Sequence, residues 1–245
     1  MSPLAPEQVV SYHKNGYLLL RAPEHQLVDP ADLKKWTGEI QAWPRVKGKW
    51  MPYDEINMNG ERQLMRTERF IDFNPQYKDL VCGKKLGQIL KAVSDMLLFK
   101  YKINYRQPHG NGFKAHLDAP AYDHIGRIEH VTANLAIDAA TIESGCFLVV
   151  PGSYKMVAEF VQGGSNHPGT DHSRLGLYAT FHSKNDGLDL RERYYKHRTE
   201  MFPPEHEREE GKDYSQGYKT YGFAAPFTSI DQAKVVPPQD VTGQS

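Results

Sequence analysis

Ile128-Glu129-His130-Val131-Thr132-Ala133-Asn134-Leu135-Ala136-Ile137 alternates apolar and polar side chains along its length. Successive residues of a strand point to opposite faces, so Val131, Ala133, Leu135 and Ile137 share one face and His130, Thr132 and Asn134 the other. One face packs, and the other can line a polar cavity. Phe99, Tyr101, Ile103 and Tyr105 alternate in the same way with Lys100, Lys102 and Asn104, which predicts a strand over residues 96–105. Residues 146–150, ended by Pro151-Gly152, and residues 175–181 read as further short strands.

Upstream of residue 96 the period is helical. Val9, Val10 and Tyr12 give a partial stripe over residues 6–14 that Gly16 can end, and a short strand is predicted at 17–20. Asp29-Pro30 has the form of an N-cap and first turn, and Leu33, Trp36, Ile40 and Trp43 recur on one helix face until Pro44. Leu86, Ile89, Leu90 and Val93 mark another amphipathic helix. Residues 45–78 are turn-rich, with Asn59-Gly60 and a charged stretch at 61–69 that has no clear period. Helices followed by short strands joined by turns predict an α+β protein with a sandwich or barrel at its centre.

The chain has 245 residues, enough for one large domain, expected here over 1–233 with a loose tail at 234–245. Thirty Lys and Arg balance thirty Asp and Glu, which argues against a nucleic-acid or anionic-membrane partner held by bulk charge. Two cysteines, Cys82 and Cys146, cannot make a disulfide framework or a four-thiolate metal site. Neither a basic leader nor a long apolar run is visible, so a cytoplasmic protein is expected.

Chemistry points to His116-Leu117-Asp118, which follows the turn-rich Gly110-Asn111-Gly112. Side chains at i and i+2 of an extended segment point the same way, so His116 and Asp118 can reach one ion. Two imidazoles and a carboxylate on one face of Fe(II) leave positions open for O2 chemistry.

Several segments together resemble the phytanoyl-CoA dioxygenase family of non-haem Fe(II)/2-oxoglutarate oxygenases. Tyr12-His13-Lys14-Asn15-Gly16-Tyr17-Leu18 resembles its N-terminal signature, and Gly112-Phe113-Lys114-Ala115-His116-Leu117-Asp118-Ala119-Pro120 its metal turn. Glu143-Ser144-Gly145-Cys146, continuing to Val150-Pro151-Gly152-Ser153-Tyr154, is similar to its hairpin. Arg193-Tyr194-Tyr195 followed by Phe202-Pro203-Pro204 resembles the C-terminal segment of a branch that acts on compact polar metabolites. The resemblance implies a double-stranded β-helix, or jelly roll, with N-terminal helices. It also implies Fe(II) as cofactor and 2-oxoglutarate as cosubstrate, with His116 and Asp118 as metal ligands. Arg174 then anchors the far carboxylate of 2-oxoglutarate, Ser165 fits a supporting position, and Thr132 and Asn134 fall on the cosubstrate wall.

One position departs from the family. Counting back from Arg174 to the place of the second histidine ligand reaches Gly163, so a core strand and its histidine are expected to be lacking. His167 is the substitute considered for the third ligand, with His172 near it and His130 on the polar strand face. Lys100, Lys102 and Arg106 read first as a solvated face and otherwise as an anion site, and Arg66 and Arg69 as carboxylate binders. Two functions follow: an oxygenase oxidising an unactivated C–H bond of a small-molecule substrate with release of succinate and CO2, or a non-catalytic member serving as a binding or partner subunit. A homo- or hetero-oligomer is compatible with either.

Overall fold

The computed structural model describes residues 3–111, 113–117, 122, 124–126, 128–155, 161–164 and 173–221. Asp118, Ser165, His167, His172 and the 234–245 tail lie outside the described residues.

Helix α1 (Pro6–Asn15) starts on a proline and ends where Gly16, at φ 81°, turns its N–H onto the Tyr12 carbonyl at 2.7 Å. Residues 17–20, predicted as a strand, pair with no neighbour among the described residues, and Leu19 is exposed. The short α2 (Ala22–His25) leads to α3 (Pro30–Gln41). Asp29 caps α3 as expected, its Oδ1 accepting the Ala31 N–H at 2.8 Å. Helices α4 (Pro75–Cys82) and α5 (Lys84–Lys91) meet at Gly83, where a Cβ would stand 2.0 Å from the Asp79 carbonyl oxygen, so only glycine permits that junction.

Residues 45–78, where the sequence shows no clear period, contain a hairpin of β1 (Met51–Ile56) and β2 (Arg62–Glu68). Asn57 makes its turn: Oδ1 accepts the N–H groups of Asn59 (3.0 Å) and Glu61 (2.9 Å), and Gly60 takes φ 81°. The remaining strands are β3 (Met96–Arg106), β4 (Phe113–Leu117), β5 (His130–Ala136), β6 (Leu148–Val149), β7 (Val161–Gly164) and β8 (Arg174–Ser183). They form a five-stranded sheet ordered β1-β2-β3-β8-β5 and a three-stranded sheet ordered β4-β7-β6. Every pairing is antiparallel. This two-sheet arrangement is the double-stranded β-helix expected. Val161–Gly164 pairs on both sides, with β4 and with β6. The edge strands among the described residues are β1 and β5 of the large sheet and β4 and β6 of the small one.

Register divides the large sheet into two faces, because directly opposed residues share a side. Tyr101, Ile103 and Tyr105 of β3, with Leu177, Ala179 and Phe181 of β8, are buried in the core that also holds Leu33 and Ile40 of α3, Tyr77, Leu80 and Val81 of α4, and Leu86 and Leu90 of α5. Phe99 leaves that alternation. A bulge between Leu98 and Lys100 sets its ring against Tyr194 (5.0 Å), Tyr122 (5.2 Å) and His182 (6.0 Å).

Pairing with β2 covers β3 only from Lys102 to Asn104, which leaves Tyr101 to be satisfied by another element. Helix α6 (Leu190–Met201) supplies it: the Tyr195 hydroxyl accepts from the Tyr101 N–H and donates to its carbonyl, each at 3.2 Å. A side chain thus closes a buried strand edge. Tyr195→Phe should therefore lower the unfolding free energy in urea by about 1–3 kcal/mol without changing the far-ultraviolet circular dichroism. No change in the midpoint would mean that water satisfies this edge. Helix α7 (Ser215–Tyr221) packs on α6 and completes the described chain.

Candidate active site

The second face of the large sheet is polar and largely buried. Across it run Arg66 and Glu68 of β2, Lys100, Lys102, Asn104 and Arg106 of β3, Arg174, Tyr178 and Thr180 of β8, and Thr132 and Asn134 of β5. Arg66, Glu68, Asn104, Arg106, Arg174 and Thr180 are all buried. Contrary to the sequence expectation, Arg106 is thus not part of a solvated face, while Lys100 and Lys102 are half-buried. Burying this many polar groups on one face is costly unless they are paired or meet a ligand.

Part of the face pairs with itself. The Glu68 carboxylate lies 2.9 Å from Nη2 of Arg198 on α6 and 3.5 Å from Nε of Arg66. Burial pushes the Glu68 pKa up, but Arg198 and Arg66, helped by Lys100 and Lys102, bring it below the ordinary carboxylate range. One carboxylate cannot fully compensate two guanidiniums: burial draws the Arg66 pKa down, while Glu68 and the surrounding tyrosines hold Arg198 high. Arg198 also lies over the rings of Tyr221 (4.5 Å) and Tyr53 (4.8 Å). Further along the face the Thr132 and Thr180 hydroxyls share a hydrogen bond of 3.0 Å, and Lys102 Nζ stands 5.4 Å from the centre of the Tyr178 ring.

Arg174 differs from these groups. It is 5% exposed, and its Nε and Nη2 have no hydrogen-bond partner among the described residues. It opens β8 directly opposite Arg106 of β3, and the strand start is pinned where Asp138 Oδ2 accepts the Leu175 N–H at 3.1 Å. Beside this pair, Gly176 faces Asn104 on one side and Ala136 on the other. A Cβ there would meet Tyr178 Cε2 at 3.3 Å, so glycine keeps this row of the face low.

In the small sheet, His116 of β4 registers with Gln162 of β7, and Gly163, next along β7, registers with Leu148 of β6. The position reached by counting back from Arg174 is therefore in the strand paired with β4, and it is a glycine. Among the described residues no three His, Cys, Asp or Glu side chains group to hold a metal ion. Of the expected ligands only His116 is described, and only by its place in β4 opposite Gln162. The orphaned Arg174 guanidinium does fit the carboxylate of a dicarboxylic cosubstrate, since its planar fork suits a bidentate partner. Glu68 and Arg198 are not recognisable as a pair from the sequence, because nothing local links a β2 residue to a helix so much later in the chain.

The sequence matches the phytanoyl-CoA dioxygenase (PhyH) family over residues 12–202. The chain belongs to the phytanoyl-CoA dioxygenase family. It is accordingly a 2-oxoglutarate-dependent non-haem iron dioxygenase, with Fe(II) and 2-oxoglutarate as its cofactor and cosubstrate. The family relatives include a 2-aminoethylphosphonate dioxygenase from an uncultured bacterium, 31% identical over 93% of this chain and 100% of its own length. Another is a methylphosphonate hydroxylase from Gimesia maris, 30% identical over 81% of this chain and 88% of its own. Among solved structures, EctD from S. alaskensis with 2-oxoglutarate and 5-hydroxyectoine superposes with a TM-score of 0.61 at 16% identity. That match covers 76% of this chain and 79% of EctD, and supports the shared fold. The alignment with the aminoethylphosphonate enzyme spans 263 positions but only 93% of 245 residues here, so about 35 of its positions face no residue of this chain. A shortfall of that size can hold two strands of ordinary length with their turns. No helix among the described residues is long and apolar enough to cross a membrane.

Proposed function

We propose that the chain oxidises a C–H bond of a small anionic metabolite, a short-chain phosphonate or a compound of similar charge, while 2-oxoglutarate is converted to succinate and CO2. The observation that carries this reading is the buried Arg174 guanidinium on a polar sheet face, with two nitrogens lacking partners among the described residues. It binds the far carboxylate of the cosubstrate and fixes its direction along the face. Thr132 and Asn134 form the wall beside it, and Ser165 is the supporting hydroxyl. His116 and Asp118 hold Fe(II), and His167 is the histidine closest in sequence for the third position. Iron bound there supplies the O2-activating chemistry that couples decarboxylation of 2-oxoglutarate to substrate oxidation.

The anionic substrate is supported by the charge of the face. Arg66, Lys100, Lys102, Arg106 and Arg174 line it, and Glu68 is the acid placed among them by register. Neutralising the cosubstrate carboxylate leaves positive charge over. Two relatives are named for phosphonate substrates, whose compact anionic heads suit such a surface.

The test is succinate formation by Fe(II)-reconstituted protein under air, with 2-aminoethylphosphonate, methylphosphonate and neutral alkylamines compared as substrates. Phosphonates are expected to stimulate turnover and neutral amines not to. His116→Ala and Asp118→Ala should each abolish turnover and weaken Fe(II) retention in equilibrium dialysis by about 10-fold or more. Retained stoichiometric iron in either variant would remove that residue from the ligand set.

A further inference from the structure

Two arginines on neighbouring strands stand directly opposite one another, Arg106 of β3 and Arg174 of β8, and both are buried, at 7% and 5% exposure. Opposed residues of an antiparallel pair share a face and bring their Cβ atoms to about 4.5–5.5 Å. Like charges so placed repel, and burial removes the water that would screen them. Two groups among the described residues act against it. Tyr178 accepts a hydrogen bond from Arg106, and the nearby acid, Glu55, is itself occupied by Gln63 (2.9 Å) and by Asn111 (3.2 Å). Burial, with the facing Arg174, lowers the Arg106 pKa to about 10 against the opposing pull of Tyr178 and Glu55, which still leaves Arg106 charged at neutral pH.

Such an arrangement is stable when an anion lies between the two forks. We infer that Arg106 is a second cosubstrate-binding residue, forming with Arg174 a two-arginine clamp on the far carboxylate of 2-oxoglutarate. This rests on the assignment of Arg174 as cosubstrate anchor and extends it to a residue on a different strand. Each guanidinium can present two parallel N–H groups to a carboxylate, and together they saturate its lone pairs. Gly176, beside the pair between Asn104 and Ala136, adds no side chain of its own, and the Tyr178 ring lies over it with Cε2 3.3 Å from where a Cβ would stand. The clamp also accounts for a cation at position 106, where a solvated lysine-like role is excluded by burial.

The experiment uses metal-free protein and two ligands, 2-oxoglutarate and glutarate. Glutarate keeps the far carboxylate and lacks the keto acid, so its binding reports the clamp separately from the metal. Isothermal titration should show Arg106→Gln weakening both ligands by about 10- to 100-fold, as expected for losing hydrogen bonds to a charged group. Arg106→Lys, which retains the charge without the fork, should fall between wild type and Arg106→Gln. Ligand-free Arg106→Gln should melt at or above the wild-type temperature, because a repulsion is removed, whereas a purely structural arginine would lower it. The Arg174→Gln variant separates the clamp from the anchor beneath it. If it loses binding while Arg106→Gln binds as wild type, the clamp is wrong and the Arg174 anchor stands. If Arg174→Gln binds as wild type, the anchor reading itself falls. A lower melting temperature in both Arg106 variants, with ligand affinity per folded molecule unchanged, would also overturn the clamp.

Discussion

Glu68→Ala is expected to destabilise the protein by about 3–5 kcal/mol, because it strips the counter-charge from two buried guanidiniums at once. Glu68 is 3% exposed, and it lies 2.9 Å from Arg198 and 3.5 Å from Arg66. For a domain of this size that loss corresponds to a fall of roughly 6–20 °C in melting temperature. Replacing Glu68, Arg66 and Arg198 together by apolar residues should cost less than removing Glu68 alone, since no charge is then left stranded. The same group sets an acid limit. Its folded-state pKa is below the ordinary carboxylate value, so its contribution is complete above the unfolded pKa and disappears as pH falls through the folded one. Glu68→Gln should therefore flatten the acid side of the stability profile, measured by urea titration from neutral pH downward. A variant as stable as wild type at neutral pH would show that the buried triad contributes no net stability.

Arg174→Ala has the largest expected effect on cosubstrate binding. Losing a buried bidentate partner of a carboxylate costs about 2–4 kcal/mol, or roughly 30- to 1,000-fold in Kd for 2-oxoglutarate. Iron affinity should be nearly unchanged, since the arginine binds cosubstrate and not metal. The free protein should unfold at close to its original temperature, because the Nε and Nη2 groups give up no hydrogen bond among the described residues. Unaltered cosubstrate affinity in calorimetry would rule out the anchor.

How much of the fold and site is legible in the sequence depends on whether a strand has one polar face and one apolar face. In β5 it does, and alternation alone puts Thr132 and Asn134 on the polar face, in agreement with their register against Thr180 and Tyr178. In β2 it does not: Met65 and Thr67 are buried on one side while Arg66 and Glu68 are buried on the other, so the charged run carries no visible period. Residues 17–20 show the opposite failure. Their composition favours a strand, but extended backbone becomes a strand only beside a partner, and none adjoins them among the described residues.

Helix α6, LRERYYKHRTEM, has little amphipathic contrast, because it buries Tyr194, Tyr195 and Arg198 instead of an aliphatic stripe. Its stability comes from tertiary contacts that no window of sequence contains. Strand β7 is half glycine and would not be chosen on propensity, yet it pairs on both sides with β4 and β6. The Arg174 position is accessible from the family resemblance and the spacing it implies. Its neighbour Arg106 is not, because their opposition is set through a register interrupted by the bulge at Phe99. Gly163 in the histidine's place is visible from the count, and the structure adds that it lies in the strand adjoining His116.

The most direct measurement is a crystal structure of the protein with Mn(II) in place of Fe(II) and 2-oxoglutarate bound under argon. The far carboxylate of 2-oxoglutarate is predicted to lie within hydrogen-bond distance of Arg174 Nε or Nη2, with its keto acid directed toward His116 and Asp118. A cosubstrate bound elsewhere, or an Arg174 guanidinium paired to a protein carboxylate in the occupied site, would contradict the anchor on which the proposed function rests.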